Sequence, residues 1–71
     1  MTDYHINVFF SDEDAGYIAD IPDLTGCSAF GHTQQAAIAE VLVAKDAWVE
    51  TAAAAGIPIP EPRYRALPVE P

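Results

Sequence analysis

Residues 16–33 read GYIADIPDLTGCSAFGHT, and this stretch decides the fold because it holds two strands, a tight turn and a helix cap. Residues 17–21 form a β-type run. Residues 22–26, PDLTG, end that run, since proline has no N–H to donate to a ladder, and aspartate and glycine supply turn chemistry. Residues 27–31 are apolar again and predict a second strand. Thr33 then predicts the N-cap of a helix. The stretch is typical of a structural module rather than of an enzyme.

Toward the N-terminus, residues 4–10 alternate between apolar and other side chains, which predicts a strand with one strongly apolar face. That face carries Tyr4, Ile6, Val8 and Phe10. The polar residues 11–16 have the length of a hairpin connection and end in glycine. Three strands joined by short turns predict an antiparallel meander.

Toward the C-terminus, residues 34–55 predict one long helix, because apolar residues recur on one face at steps of three and four. That face carries Ala37, Val41, Ala44, Trp48 and Ala52. Gly56 is suited to the position after the C-cap. A helix of this length spans roughly 33 Å, against ~17–20 Å for a strand, so its end is expected to overhang the sheet. The predicted fold is α+β: a three- or four-stranded antiparallel meander with one long helix packed on one face.

Residues 57–71 form a proline-rich C-terminal tail that contains five of the six prolines. Two interpretations remain open for it. Residues 64–67 could add a short fourth strand at an edge of the sheet, or the tail could be frayed. With 71 residues and no repeat or linker, the chain is expected to form a single domain over residues 1–71.

The charge of the chain restricts its partners. The net charge is −8, from eleven acidic and three basic residues. Binding nucleic acid requires cations that displace phosphate counterions, so direct DNA or RNA binding is not expected. The acidity either aids solubility or selects a basic partner. No membrane span or signal peptide is visible, and a lone cysteine fits a reducing compartment, so we expect a cytoplasmic protein without a membrane partner.

The small size of the chain favours self-association. A domain of this length buries only about 60% of the surface that its unfolded form exposes, and small scaffolds usually need a disulfide, a metal or a partner chain. One cysteine excludes a disulfide within the chain. We therefore expect a homo-oligomer, in the simplest case a homodimer. The candidate contacts are Trp48, Val49 and Tyr64, although the place of Trp48 on the apolar helix face favours a core role over an interface role.

Few residues of the chain are candidates for catalysis or metal binding. Residues 12–14, DED, lack the alternating acids and closing glutamate of a calcium loop and are interpreted as a solvated hairpin tip. His5 and His32 do not have zinc-ligand spacing. Cys27 has no cation near it in sequence that would lower its thiol pKa, which favours a small buried hydrophobe. No catalytic residue, metal or cofactor is expected.

Several motifs in combination resemble the HicB-like antitoxin family. The matching positions are residues 12–17 (DEDAGY), residues 22–27 (PDLTGC), Gly31, Thr33, Ala37, Trp48 and residues 56–60 (GIPIP). The resemblance spans about residues 4–62. It implies a partial RNase H-like fold without RNase H activity. It also implies a partner, a small basic HicA-type ribonuclease toxin, which the HicB-like chain binds and neutralises.

The resemblance also suggests what this chain lacks. Many HicB-like proteins carry a C-terminal helix-turn-helix or ribbon-helix-helix segment, for which the proline-rich residues 57–71 leave no room. The expectation is a short form without a DNA-binding domain. A nuclease is not expected, because the second face of the first strand offers His5, Asn7 and Phe9 instead of a metal-binding carboxylate.

We expect acidic residues to bind a basic toxin, and a tyrosine to add an apolar contact. The candidate partner-binding residues are Asp12, Glu13, Asp14, Tyr17, Asp20 and Asp23. The acids form either one edge bridged by Asp20 or two separate patches, because a meander places successive turns at opposite ends. The rival hypothesis is an orphan structural or small-ligand-binding module that has no toxin partner.

Overall fold

The computed structural model describes residues 3–64 and has an α+β architecture, as predicted. Its elements are β1 (Asn7–Ser11), β2 (Gly16–Asp20), β3 (Ser28–Gly31) and α1 (Gln34–Ala54). The strands pair antiparallel in the order β1-β2-β3, which is the predicted meander. Within residues 3–64 the sheet has three strands. Of the predicted fourth strand, Tyr64 is not in a strand, and residues 65–67 lie outside the described residues.

The first strand differs most from its prediction. It begins at Asn7 rather than at residue 4, because Asn7 pairs with Asp20, the last residue of β2. Tyr4 nevertheless packs against the core from outside the strand. Phe10 lies on the predicted apolar face together with Val8, but 54% of it is exposed. The cause is the position of α1, which packs mainly on β2 and β3 and leaves β1 largely uncovered.

The core lies between α1 and the sheet and extends under the turn between β2 and β3. Its buried residues are Ala19, Ile21, Leu24, Cys27, Ala37 and Val41. The predicted apolar face of the helix is confirmed, because Ala37, Val41 and Ala52 are buried and Ala44 and Trp48 pack against the core. Small residues occupy the centre of the contact, so the backbone of the helix approaches the sheet closely.

Both predicted ends of α1 are confirmed. The Thr33 side chain accepts a 3.0 Å hydrogen bond from the Ala36 amide, which is the N-cap arrangement. At the C-terminus, Gly56 has a φ of +72° and donates to Ala53 O at 3.2 Å, while Ile57 donates to Ala52 O at 2.8 Å. This pair of bonds is a Schellman motif, which requires the left-handed backbone that glycine adopts without strain.

The C-terminal part of α1 overhangs the sheet and packs against the turn that follows β2. The Trp48 indole N–H donates a 3.0 Å hydrogen bond to the Thr25 carbonyl oxygen. Within that turn, Leu24 donates to Ile21 O and Cys27 donates to Leu24 O, at 3.0 and 2.9 Å. The turn therefore packs against the part of the helix that extends past the strands.

The N-cap gives a direct test of how the helix begins. We expect Thr33→Ala to lower the free energy of unfolding by about 1 kcal/mol, because the Ala36 amide loses its acceptor. Thr33→Ser keeps the hydroxyl and should stay within about 0.5 kcal/mol of the wild type. Urea unfolding followed by circular dichroism measures both. Equal losses in the two variants would mean that the methyl group, rather than the hydrogen bond, stabilises this end.

Candidate interaction surfaces

The hairpin loop between β1 and β2 carries three consecutive exposed acids, Asp12, Glu13 and Asp14. Asp14 accepts a 2.9 Å hydrogen bond from the Ser11 hydroxyl. Within residues 3–64 the salt bridge of the protein joins Lys45 to Asp3 at 3.3 Å, away from this loop. The loop is therefore a concentrated negative charge that no described cation neutralises.

The other predicted acidic contacts lie at the opposite end of β2. Asp20 ends that strand, and Asp23 follows in the turn, whereas the hairpin loop precedes Gly16 at the start of β2. The six candidate partner-binding residues therefore do not form one acidic edge. Tyr17 is also separate, because it packs against the core and its ring meets that of Phe10 edge-on at 5.3 Å.

Asp23 has a structural partner within the chain. Its carboxylate accepts hydrogen bonds from the backbone amides of Arg63 at 3.1 Å and of Tyr64 at 3.1 and 3.2 Å. The Tyr4 hydroxyl donates to the Pro60 carbonyl oxygen, and the His5 and Tyr64 rings lie 4.8 Å apart. These contacts hold residues 57–64 against the domain, so the frayed interpretation does not describe this part of the tail.

The three self-association candidates lie in different surroundings. Trp48 is half-buried and bonded to the turn, so it acts as a packing residue within the chain. Val49 is half-buried and lines a cleft next to Tyr4 and Ile59. Tyr64 is 39% exposed, and its ring is tilted against that of His5. The structure does not bring the three together as one continuous surface.

An apolar cleft lies between the second half of α1 and the turn. Its volume is about 450 Å³, and its lining includes Gly26, Cys27, Trp48 and Ile57. Burial raises the pKa of the Cys27 thiol, and the ammonium group of Lys45 only partly opposes this shift. Cys27 therefore stays protonated and packs as a small hydrophobe, which agrees with the sequence-based interpretation.

Lys45 on α1 forms a salt bridge with Asp3, and both residues line the cleft that contains Val49. The pKa of the Asp3 carboxyl is lowered by a hydrogen bond from the Tyr4 amide and, secondarily, by Lys45. Because Asp3 is fully exposed, this pair contributes little to stability.

The sheet face that turns away from α1 carries an apolar row, of which the sequence indicated only Phe9. Register pairs Phe9 with Ile18 and Ile18 with Phe30, so these three side chains lie side by side across the strands. Phe9 is 50% exposed and Phe30 is 37% exposed. The available signal was Phe9 itself, an aromatic residue on the second face of an alternating strand. We call this surface, formed by Phe9, Ile18 and Phe30, the open-face row.

Residues 3–64 contain both histidines of the chain and one helix. No three His, Cys, Asp or Glu side chains in this part of the chain converge in a way that could hold a metal ion. His5 Nε2 lies 2.7 Å from Asn7 Oδ1, and the ring of His32 meets Phe30 edge-on at 5.3 Å. Over the same residues, no helix has the length and apolar character needed to cross a bilayer.

Comparison with known proteins finds a related sequence in a cyanobacterium. The chain is 40% identical over 45 residues to a UPF0150 protein of Synechocystis sp.. The match covers 63% of this chain and 62% of the relative, so it spans less than two thirds of the relative's length. No family model matches the sequence, and no solved structure matches it. The chain is thus similar to a UPF0150 protein, a name that states no activity.

Proposed function

We propose that this chain is a non-catalytic, antitoxin-like binding protein of the cytoplasm that neutralises a small basic HicA-type ribonuclease. The proposal rests on two observations, the HicB-like motifs of the sequence and the charge distribution of the surface. The similarity to the Synechocystis UPF0150 protein supports a shared domain and leaves the partner to be identified by experiment.

The observation that carries the proposal is the hairpin loop with its unneutralised acids, Asp12, Glu13 and Asp14. A ribonuclease that binds RNA presents cations to phosphate groups. Exposed carboxylates on a projecting loop compete for the same cations, and they accelerate association by attracting the partner over about 10 Å at moderate ionic strength. Because single exposed ion pairs contribute only about 0.2–1 kcal/mol, the loop is expected to act mainly through association rate and selectivity.

Several glycines and the helix cap among the HicB-like motif residues have structural roles. Thr33 caps the helix, Gly56 ends it, and Gly31 lies against the Ala36–Ala37 backbone. These positions support the fold that the resemblance implies. The partner therefore has to be recognised by surface residues outside the motifs' glycines and caps, which is why the acidic loop is the proposed contact.

A second candidate function rests on the apolar cleft beside Cys27 and Trp48. A concave apolar site of about 450 Å³ is within the size range of small-ligand pockets. In this alternative the chain is an orphan module that binds a small apolar ligand and has no toxin. Quenching or a shift of Trp48 fluorescence by such a ligand would favour it, since Trp48 is the only tryptophan.

The test of the proposed function begins with the neighbouring gene. We expect an adjacent reading frame for a small basic protein whose product co-purifies with this chain and whose RNA cleavage this chain inhibits. Reversing the loop charges in the triple variant Asp12→Lys, Glu13→Lys and Asp14→Lys should slow association by roughly 10- to 100-fold at low salt. Stopped-flow or surface plasmon resonance measurements over a salt series give this rate.

A matched control separates the loop from overall charge. Glu40→Lys, Asp46→Lys and Glu50→Lys make the same change in net charge on exposed positions of α1. We expect this helix variant to retain most of the association rate and its salt dependence. If both triple variants slow association equally, the loop has no special role. A basic neighbour that neither binds nor is inhibited would contradict the proposed function itself.

A further inference from the structure

We propose that two copies of this chain pair face to face through the open side of the sheet, with the open-face row at the centre of the contact. This inference concerns self-recognition and does not depend on the identity of any toxin. It moves the dimer contact from the helix and tail, where Trp48, Val49 and Tyr64 were expected to provide it, to the opposite layer of the molecule.

The geometry of this face suits pairing. α1 covers one side of the sheet, and within residues 3–64 no element covers the other. Across that side, Phe9, Ile18 and Phe30 form a continuous apolar row over all three strands. The Phe30 ring also fills the space above Gly16, where an added Cβ would lie 2.4 Å from the ring. The Phe30 ring thus lies against β2, and two such sheets can stack about 10 Å apart.

Charge selects a second copy as the occupant. In a protein of net charge −8, like-charged copies repel each other least where carboxylates are fewest. The strand residues on this face include one acid, Asp20, which lies in a polar row with Asn7 and Ser28 beside the apolar row. A basic partner would instead be attracted to the hairpin loop, which carries three acids. The strands of the open face thus contribute one acid per copy to a contact between two copies.

The open face also has the aromatic content that is typical of a protein–protein interface. The half-exposed Phe9 and Phe30 provide the aromatic centre that such interfaces favour.

Two adjacent phenylalanines provide a matched test. Phe9 and Phe10 are neighbours in β1 with exposures of 50% and 54%, but they point to opposite sides of the sheet. Sedimentation equilibrium from micromolar to millimolar concentration should show a dimer for the wild type. Phe9→Asp should weaken it by roughly 100-fold or more, because a symmetric contact buries two unpaired carboxylates. Phe10→Asp should leave dimerisation within a few-fold of the wild type.

Cross-linking gives a second test that tolerates a loss of stability in the Phe9 variant. Ile18 lies on the middle strand near the centre of the face, so in a two-fold pair the two copies of Ile18→Cys should come close and form a cross-linked dimer with a short bismaleimide. Val43→Cys, at an exposed helix position on the other side of the molecule, should not cross-link. The wild type supplies the background, since Cys27 is buried.

The proposal is overturned by any of three results. The wild type could remain a monomer at millimolar concentration. Phe10→Asp could dissociate the dimer while Phe9→Asp does not. Val43→Cys could cross-link where Ile18→Cys fails, which would place the contact on the helix.

Discussion

Gly31→Ala should lower the free energy of unfolding by about 3 kcal/mol or more, which is at the upper end of the range for overpacked positions. The added Cβ would lie 2.3 Å from the Ala37 amide nitrogen and 2.6 Å from the Ala36 carbonyl carbon. Both atoms belong to the backbone of the first turn of α1, so they cannot swing aside as a flexible side chain would. The helix has to shift away from the sheet, and the core contacts of Ala37 and Val41 weaken with it.

Such a loss is large for a chain of this size. Marginal stability of ~0.05–0.15 kcal/mol per residue gives about 4–11 kcal/mol for 71 residues. Gly31→Ala is therefore expected to leave a substantial unfolded fraction under conditions in which the wild type is fully folded. Thermal unfolding followed by circular dichroism should show a Tm lowered by about 10 °C or more.

Gly26→Ala is the matched control because it makes the same chemical change in a different setting. Gly26 has a φ of +78°, and nothing lies within 4 Å of its potential Cβ. Its substitution costs only the backbone strain of a left-handed alanine, about 1–2 kcal/mol. If the two variants lost equal stability, the close approach of the helix to β3 would not be the constraint at position 31.

The sequence was sufficient to predict the order and type of the elements. The period-2 run before the hairpin, the residues PDLTG and the three-to-four spacing from Ala37 to Ala52 each depend on local chemistry, and each predicted its element correctly. The cap at Thr33 and the glycine at position 56 could also be identified, since caps are local arrangements of a few residues.

Features that depend on how the elements pack together could not be predicted from the sequence. Phe10 follows the alternation of the first strand, yet it is exposed because the helix crosses the other two strands. Asp23 looks like a turn residue, and nothing local shows that its carboxylate binds amides 40 positions later in the chain. The open-face row required the register of three strands before Phe9, Ile18 and Phe30 could be seen as neighbours.

The candidate partner surface also contains one part that is predictable from local sequence and one part that depends on packing. Residues 12–14 could be identified from sequence as an exposed acidic loop, and the structure shows them exposed. Successive turns of a meander lie at opposite ends of the sheet, so the topology already allowed the loop to be separate from Asp20 and Asp23, and the structure shows this separation. Asp23, which binds the tail, is the least available of the set for a partner.

Leu24→Ala should remove about 2–5 kcal/mol of stability, the usual range for truncating a buried leucine. Leu24 is 1% exposed and is one of the three largest fully buried side chains, together with Ile21 and Val41. It lies in a turn of seven residues that Ile21 closes by donating a 3.0 Å hydrogen bond to Cys27 O. The turn is thus built around its own buried side chain, and a cavity there weakens both the turn and the overhanging part of α1.

The fluorescence of Trp48 can follow the opening of this turn without an added label, because the indole N–H donates a hydrogen bond to Thr25 O in the same turn. In Leu24→Ala we expect tryptophan emission to shift to longer wavelength at lower urea than the loss of helical circular dichroism, as the turn opens first. Thr25→Ala is the control. Thr25 is exposed, and the substitution keeps the carbonyl group that accepts from Trp48, so it should cost less than about 0.5 kcal/mol. Coincident fluorescence and dichroism transitions in Leu24→Ala would show instead that turn and helix unfold as one unit, with Leu24 part of a single cooperative core.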